Sequence, residues 1–271
     1  MTTSRVLFSL TGAALIIVAH SSAKADPRAV IELFTSQGCS SCPAADKLLS
    51  ELQADPSLIP LSLPIDYWDY LGWKDTLAIP GHTTRQRAYS QVRGDREIYT
   101  PQVVVNGVAQ AVGSDRAGIE NAVAQSRHNA TPLSVPLHVT VANERVTVTL
   151  PEREGAEATG GEIWLCPLSG SVSVGIARGE NRGRTLTYTN VVRRWVKLGT
   201  WTGKGENFTV PIDAIRFDGV DAVAVILQSG SLEKPGAILG ASLTSLYSWM
   251  RLNVAARRPI NDSHTVPQRS C

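Results

Sequence analysis

The hydrophobic residues of the chain follow two different periods, and the change between them divides the sequence into two halves. In the first half, an apolar and β-branched run at residues 29–36 predicts a β-strand. It is followed by apolar residues at the spacing of one helix face, namely Ala45, Leu48, Leu49 and Leu52. In the second half, apolar residues alternate with polar ones from Val135 onward, as in strands. The pattern therefore predicts a mixed α/β half followed by an all-β half.

The remaining elements of the first half complete an order of strand, helix, strand, helix, hairpin and helix. Alternating apolar residues predict a second strand at residues 58–66, and residues 83–92 predict a second helix. Asn106 and Gly107 stand between two valine-rich runs and form the strongest short signal for a hairpin with a type I′ turn. Ser114 can cap the final helix. This order is that of the thioredoxin fold.

The second half predicts a separate, all-β domain. About seven or eight short strands alternate with turn signals, which favours an antiparallel β-sandwich. The predicted fold class is therefore an α/β thioredoxin-like domain followed by an all-β sandwich-like domain. The predicted boundaries are residues 26–130 for the first domain and residues 131–245 for the second, with a polar C-terminal tail at residues 246–271.

Residues 1–25 predict a secretory signal peptide that is separate from the fold. Arg5 precedes an apolar run at residues 6–19, and residues 23–25 provide a small-residue cleavage site. The apolar run is too short to span a bilayer comfortably. We expect cleavage after Ala25, a periplasmic or secreted location, and no membrane anchor in the mature protein.

Composition narrows the classes of partner and of scaffold. The 271 residues carry 26 basic and 24 acidic side chains, and the net charge of +2 favours neither nucleic acid nor an anionic membrane as a partner. An exported protein can form disulfides, but four cysteines are too few for a disulfide scaffold. Cys166 lies in an apolar run and is interpreted as a small hydrophobic core residue, less readily as a partner of Cys271.

Cys39 and Cys42 lie where the first predicted strand leads into the first predicted helix, with Pro43 in the first helical turn. The thiolate is the reactive form of cysteine, and the unpaired N–H groups and dipole of a helix N-terminus stabilise it. We expect Cys39 to be the exposed nucleophile with a low pKa, and Cys42, one turn further on, to resolve the mixed disulfide. Two intervening residues across a helical turn also bring the two sulfurs within bonding distance.

Two residues outside this pair are candidates for the same site. Pro101 follows Thr100 just before the hairpin, and we expect a cis peptide bond there, within contact distance of Cys39. A proline at this point leaves a strand edge open for a substrate backbone. Glu32 stands among apolar residues, so that it is either a buried general base for Cys42 or a solvent-facing residue at a strand edge.

Metal binding is an alternative use of the two cysteines. A structural zinc ion takes four ligands, and this chain offers a single pair, so that zinc is disfavoured. Copper(I), held by the two thiolates alone, stays open as an alternative. The sequence predicts no other cofactor.

Three further features admit a structural and a functional interpretation. The aromatic run at residues 67–73 either packs in the core and turns or forms a rim above Cys39. His82 is interpreted as a loop residue and not as a ligand. A basic stretch is either a solvated face or a docking surface beside the dithiol, and it contains Arg178, Arg182, Arg184, Arg193 and Arg194.

Four motifs resemble one family of secreted bacterial proteins, which carries a domain-of-unknown-function label and is regarded as thioredoxin-like. The motifs are ELFTSQGCSSCPAAD, DYWDYLGWKD, YTPQVVVNG and GENRGRTLTYTNVVR, and they span nearly the whole mature chain. The resemblance implies the fold, an exported location, Cys39 and Cys42 as the redox pair, and Pro101 as the cis-proline. It implies no substrate.

The sequence as a whole indicates thiol–disulfide exchange on other exported proteins, whose thiols or disulfides would be the partners. The enzyme class would be a thiol–disulfide oxidoreductase. Two alternatives stay open, namely a copper(I)-binding or copper-chaperone protein that uses the same cysteines, and a non-catalytic interaction module.

Overall fold

The computed structural model describes residues 27–128, 132–153 and 160–246. The predicted signal peptide lies outside the described residues, as does the predicted tail from residue 247 onward. Within the described ranges, no helix has the length and apolar character needed to cross a membrane.

The described residues form three α-helices and twelve β-strands. The first half contains β1 (Ala29–Thr35), α1 (Cys42–Leu52), β2 (Leu58–Pro64), α2 (Pro80–Arg93), β3 (Gln102–Val105), β4 (Ala109–Val112) and α3 (Arg116–His128). The second half contains β5 (His138–Ala142), β6 (Arg145–Leu150), β7 (Gly161–Gly175), β8 (Thr185–Val192), β9 (Val196–Trp201), β10 (Glu206–Pro211), β11 (Ala222–Gly230) and β12 (Pro235–Ser245). The element order predicted for the first half is confirmed.

Local sequence signals account for several of these boundaries. Pro43 lies in the first turn of α1, where a missing N–H removes no helical hydrogen bond. Gly94 ends α2 in the left-handed conformation, with φ of 86°. Asn106 and Gly107 both have positive φ, 51° and 74°, as a type I′ turn between β3 and β4 requires.

One large sheet runs through both halves of the chain. Its nine strands in the described residues include the ordered path β12-β11-β7-β8-β2-β1-β3-β4, and β9 pairs with the first part of β7. In the first half, β1 is parallel to β2 and antiparallel to β3. The two halves join where β8 pairs in parallel with β2, at Ser62 and Val191. A smaller sheet has the order β10-β6-β5.

The predicted fold class, an α/β thioredoxin-like domain followed by an all-β sandwich-like domain, is therefore wrong. The protein is mostly β, and a mixed sheet includes strands from both sides of the predicted boundary at residue 131. The physical reason is that alternation identifies a strand and its buried face, but not the strand with which it pairs. Strands β7, β8, β11 and β12 were correctly expected as strands, but they extend the sheet of the first half.

The two faces of the large sheet are covered by different elements. On one face, α1 and α3 pack on β1 and β3 through residues such as Ile31, Leu49 and Ile119. On the other face, α2 contributes Tyr89 to a core shared with Phe34 of β1 and residues of β2, β7 and β11. A further core joins the smaller sheet to β7, β9, β11 and β12. The dithiol lies where the chain passes from the end of β1 into α1.

Candidate functional site

Cys39 and Cys42 occupy the turn between β1 and α1, as the sequence predicted. The Cys39 N–H donates to the carbonyl of Ser36 at 3.2 Å, and the Cys42 N–H donates to the carbonyl of Cys39 at 3.2 Å. Helix α1 begins at Cys42 itself. Both side chains are free thiols in this structure. The turn therefore presents one thiol just before the helix and the other at its first residue.

The two thiols have different surroundings, which lower the pKa of Cys39 and raise the pKa of Cys42. The pKa of Cys39 is lowered to about 6, first by a hydrogen bond from the Cys42 thiol and further by Ser41 and Thr100, while burial opposes the shift. Ser41 Oγ lies 3.3 Å from Cys39 Sγ. The pKa of Cys42 is raised, chiefly because burial disfavours the thiolate. The order of the two pKa values agrees with the prediction.

The Thr100–Pro101 peptide bond is cis, so that this prediction is confirmed. The carbonyl oxygen of Thr100 lies 3.7 Å from Cys39 Sγ, within contact distance. Gly113 donates its N–H to the carbonyl of Pro101 at 2.9 Å. The segment before β3 thus forms one wall of the dithiol site.

Cys39 is not exposed, and this part of the sequence interpretation is wrong. Only 1% of its surface is accessible, and Cys42 is fully buried. Residues 176–184, which we name the β7–β8 loop, pack against the cysteine turn. In this loop, Asn181 Nδ2 donates to the carbonyls of Gln37 at 3.0 Å and Cys39 at 2.8 Å. The second half of the chain therefore holds the dithiol turn in place.

The β7–β8 loop makes a further contact with the turn. Glu180 Oε2 accepts a hydrogen bond from the backbone N–H of Ser40 at 3.0 Å. Glu180 and Asn181 lie inside the GENRGR motif, but nothing in the local sequence indicates that they reach a turn some 140 residues earlier. Three basic residues of this stretch, Arg178, Arg182 and Arg184, are exposed beside those contacts.

The aromatic segment also borders the turn. Trp73 Nε1 donates to Gln37 Oε1 at 2.8 Å, and Trp68 Nε1 donates to Thr100 Oγ1 at 2.7 Å. Tyr70 stacks on Trp68 with ring centroids 6.3 Å apart, and 78% of its surface is exposed. Both interpretations of the segment thus apply in part, because two tryptophans pack in the site wall while Tyr70 projects from it.

Glu32 is buried, but the structure does not bring it to the dithiol. It lies on the same face of β1 as Phe34, towards α2, whereas α1 packs on the opposite face. Its carboxylate accepts from Arg85 Nε at 2.7 Å and from the Tyr89 hydroxyl at 2.6 Å. Gln228 of β11 completes the cluster by accepting from Arg85 at 2.9 Å. The alternative of a solvent-facing Glu32 is wrong, since none of its surface is accessible.

Asp46 is the buried carboxyl that does lie beside the dithiol, and the sequence interpretation missed it. It follows Cys42 by one helical turn, and neither carboxyl oxygen has a hydrogen-bond partner among the described residues. Burial raises the pKa of Asp46 well above its usual range, and the charges of Cys39 and Asp75 raise it further. The nearby Thr35 hydroxyl lowers the pKa of Asp46, although it does not reach hydrogen-bond geometry.

A second buried carboxyl, Asp75, holds the cysteine turn from the other side. Its Oδ2 accepts from the N–H of Gln37 at 2.8 Å, and its Oδ1 accepts from the N–H groups of Leu77 and Ala78 at 2.8 and 3.1 Å. Burial raises the pKa of Asp75 to about 6. The sequence signal for Asp46 was its position between apolar residues of α1, whereas Asp75 stands in a polar segment without such a signal.

Two other residues considered in the sequence analysis, His82 and Cys166, are buried in the fold. His82 lies in α2, so that the loop assignment is wrong, and its Nδ1 is 2.9 Å from the carbonyl of Pro64. Cys166 is a fully buried free thiol in β7, as expected, while Cys271 lies outside the described residues. Within the described ranges, no three metal-ligating side chains come together as a metal site.

The fold and site define a β-rich protein with a buried dithiol at a strand–helix junction, held by a loop from the second half of the chain. This chain belongs to the family described as "Protein of unknown function (DUF1223)", whose model matches residues 30–228. The predicted membership of a domain-of-unknown-function family is confirmed. A comparison with curated proteins found no match.

Two solved structures are similar to this chain. The crystal structure of protein AGR_C_4864 from Agrobacterium tumefaciens has a TM-score of 0.72 and 30% sequence identity, with 82% of this chain and 96% of that chain covered. The HBP35 protein of Porphyromonas gingivalis has a TM-score of 0.53 and 13% identity, with 90% of this chain and 81% of that chain covered. At 13% identity the likeness concerns the fold alone.

Proposed function

We propose that the protein carries out thiol–disulfide exchange through Cys39 and Cys42, with thiols or disulfides of other exported proteins as its partners. The observation that carries the proposal is the geometry of the turn, in which two free thiols lie at the start of α1 and the carbonyl oxygen before the cis Thr100–Pro101 bond lies 3.7 Å from Cys39 Sγ. The different pKa directions of the two thiols support it. With a pKa of about 6, most of the Cys39 thiol is ionised at neutral pH. A thiolate is the form that attacks a disulfide.

The exchange has two steps in the reducing direction. The Cys39 thiolate attacks one sulfur of a partner disulfide, forming a mixed disulfide and releasing the first partner thiolate. Cys42 then loses its proton and attacks Cys39 Sγ, forming the internal disulfide and releasing the second partner thiolate. Two electrons pass from the dithiol to the partner. The oxidised protein runs the same steps in reverse on a partner dithiol.

The N-terminal sequence supports an exported location for this chemistry. A signal peptide at residues 1–25 would deliver the protein to an oxidising compartment, where exported proteins carry disulfides. Export would also remove the protein from the cytosolic glutathione pool, so that its direction of exchange would depend on its own reduction potential and on its partners.

Trapping of partners tests this proposal. Cys42→Ser leaves a nucleophile without a resolving thiol, and we expect mixed disulfides with exported proteins to accumulate, visible on non-reducing gels and identifiable by mass spectrometry. Cys39→Ser is the matched control and should trap almost nothing, since the pKa of the remaining thiol, Cys42, is raised by burial and little of it is ionised. Equal trapping by both variants would contradict the assigned roles.

A glutathione redox titration and a copper titration separate this proposal from its alternatives. The wild-type dithiol should interconvert with its disulfide in a glutathione buffer. If it does not interconvert and Cys42→Ser traps no partner, the exchange proposal fails. Anaerobic titration with copper(I), compared with a Cys39→Ser/Cys42→Ser double variant, would then decide between a copper-binding protein and an interaction module.

A further inference from the structure

The environment of Asp46 is unusual for a buried carboxyl group. Buried carboxylates are ordinarily paired with a cation or hydrogen-bonded, because their desolvation is otherwise unfavourable. Both oxygens of Asp46 are buried without a hydrogen-bond partner among the described residues. Residues four apart on a helix lie on the same face, with Cβ atoms about 5–6 Å apart, and this spacing separates Asp46 from Cys42. The unpaired carboxyl group is thus a neighbour of the buried thiol.

Cys42 requires a proton acceptor, and Asp46 is close enough to act as one. To attack a mixed disulfide, the Cys42 thiol must lose its proton, and its pKa is raised by burial. The side chain is fully buried, so that bulk water cannot take the proton directly. Glu32, the other buried carboxylate considered from the sequence, faces α2 on the opposite side of β1 and is bound to Arg85.

We infer that Asp46 is the acid–base partner of Cys42 in the proposed exchange reaction. As Cys42 Sγ bonds to Cys39 Sγ and the bond from Cys39 to the partner sulfur breaks, the Asp46 carboxylate takes the Cys42 proton. The partner leaves as a thiolate, and Asp46 is left as a carboxylic acid. In the reverse direction Asp46 returns this proton to Cys42 as the internal disulfide opens. The inference rests on the exchange function proposed above.

The groups that face Asp46 allow the carboxyl to change its protonation state during the cycle. They are Thr35 of β1, Cys39 and Cys42 of the turn and α1, Asp75 of the segment before α2, and Tyr188 of β8. Each of these groups is neutral or acidic, and none of them is a cation that would fix Asp46 as a permanent carboxylate. The hydroxyl groups of Thr35 and Tyr188 are themselves buried without partners among the described residues.

The charge on Cys39 determines at which stage of the reaction Asp46 can accept a proton. Burial raises the pKa of Asp46, and the Cys39 thiolate raises it further while the protein is reduced. Formation of the mixed disulfide removes that charge, and the pKa of Asp46 then falls. Asp46 then releases its proton to solvent more readily, so that the fraction in the carboxylate form increases at the stage when Cys42 must lose its proton. The same loss of charge also lowers the pKa of Cys42.

The rate of the second step tests this inference with the full protein. A mixed disulfide between Cys39 and thionitrobenzoate releases the coloured thiolate when Cys42 attacks, and stopped-flow absorbance follows this release between pH 5 and pH 9. We expect Asp46→Asn to slow the release about a hundredfold near neutral pH, as for loss of a general base. The rate should then rise in proportion to hydroxide. Glu51→Gln, which removes an exposed carboxylate from the same helix, should match wild type.

The outcomes separate the inference from the function on which it rests. If wild type releases the thiolate and Asp46→Asn does so with the same rate and pH profile, the inference is overturned and the exchange function stands. If wild type releases none, both fail. The first step, measured as attack on the reagent in a Cys42→Ser background, should change little when Asp46→Asn is added, because Asp46 acts on the second step.

A measurement without substitution of Asp46 covers the case in which that variant does not fold. The carboxyl carbon of Asp46 can be titrated by NMR in the Cys42→Ser protein before and after Cys39 is blocked as a neutral methyl disulfide. We expect the Asp46 pKa to fall after blocking. An Asp46 pKa that is unmoved by the loss of the Cys39 charge would overturn the inference.

Discussion

At the scale of single residues, the site depends on small differences between neighbours in sequence. Cys39 and Cys42 share one turn, yet the pKa of the first is lowered by hydrogen bonds and that of the second is raised by burial. The position of the pair at a helix start was sufficient to predict which thiol has the lower pKa. It was not sufficient to predict accessibility, because Asn181 and the rest of the β7–β8 loop come from a distant part of the chain.

The hydroxyl of Ser41 should have a measurable effect on Cys39. Its Oγ lies 3.3 Å from Cys39 Sγ, and a hydrogen bond to a thiolate favours the ionised form. We expect Ser41→Ala to raise the Cys39 pKa by about one unit, since hydrogen bonds to charged groups contribute about 1.5 kcal/mol or more. The ultraviolet absorbance of the thiolate, followed against pH, measures this shift. Ser40→Ala, at the exposed neighbouring position, is the control and should leave the titration unchanged.

Asp46 should destabilise the folded protein, and increasingly so as the pH rises. Its folded pKa is raised above the unfolded value of about 3.9, so that the folded state holds a proton which the unfolded state has lost. The free energy of unfolding is therefore highest below that unfolded pKa, where Asp46 is protonated in both states. It decreases as the pH rises from the unfolded pKa through the folded pKa. We expect Asp46→Asn to increase the free energy of unfolding by about 1–3 kcal/mol at pH 8, with little effect near pH 4.

Urea denaturation of both proteins across this pH range measures the difference. Glu51→Gln on the exposed part of α1 is the control, and it should show no comparable trend. A difference between Asp46→Asn and wild type that stays constant from pH 4 to pH 8 would mean that the carboxyl is not held at a raised pKa. Such a stabilised variant with slower exchange would fit a residue kept for function at the expense of stability.

At the scale of elements, the periodicity of apolar residues predicted where helices and strands occur and which of the two each segment forms. It placed β1, α1 and the β3–β4 hairpin, and the Asn106–Gly107 pair identified the turn type. It could not place the β7–β8 loop against the cysteine turn, because this contact is made by polar side chains with backbone carbonyls. Such contacts leave no period in the sequence. Asp75 was missed for the same reason, since it binds backbone N–H groups of the turn.

The β7–β8 loop should control access of reagents to Cys39. Asn181 donates two buried hydrogen bonds to the carbonyls of Gln37 and Cys39, and loss of both would cost about 1–3 kcal/mol. We expect Asn181→Ala to raise the alkylation rate of Cys39 by iodoacetamide about tenfold or more, after correction for thiolate fraction. Arg182→Ala, an exposed change in the same loop, is the control. Equal corrected rates in wild type and Asn181→Ala would show that Asn181 does not restrict access.

At the scale of the whole molecule, the two halves are joined by a sheet and by a buried polar cluster. Strand β8 pairs with β2, and Arg85 of α2 donates to Glu32 of β1 and to Gln228 of β11. The guanidinium also lies 4.3 Å from the ring centroid of Trp195. These pairings could not be predicted from one sequence. A Glu or Gln in an apolar strand indicates a buried polar group, but the sequence does not show which residue it binds. The predicted fold class was wrong for the same reason, since the sequence does not show which strands pair with one another.

This junction predicts that the first half does not fold alone, contrary to the simplest expectation from a boundary at residue 131. A fragment of residues 26–130 would lose Gln228 from the Arg85 cluster and β8 from the edge of β2. It would also expose apolar side chains of β1 and β2, such as Phe34 and Leu63, which pack against β7 and β11. The fragment would thus expose apolar surface that the full-length protein buries, and it would lose the stabilisation that this burial provides.

We therefore expect the fragment to aggregate or to lack fixed side-chain packing, seen as weak near-ultraviolet circular dichroism and a broad urea transition. In the full-length protein, hydrogen exchange at increasing urea should release the amides of β1 and β11 at one concentration, since the two strands share a core and a sheet. A fragment that unfolds in a sharp transition, or full-length protein whose β11 exchanges well before β1, would show that the halves are separate units. The dithiol would then work without its second half, whereas the contacts of Asn181 and Tyr188 predict that the chemistry of Cys39 and Cys42 depends on both.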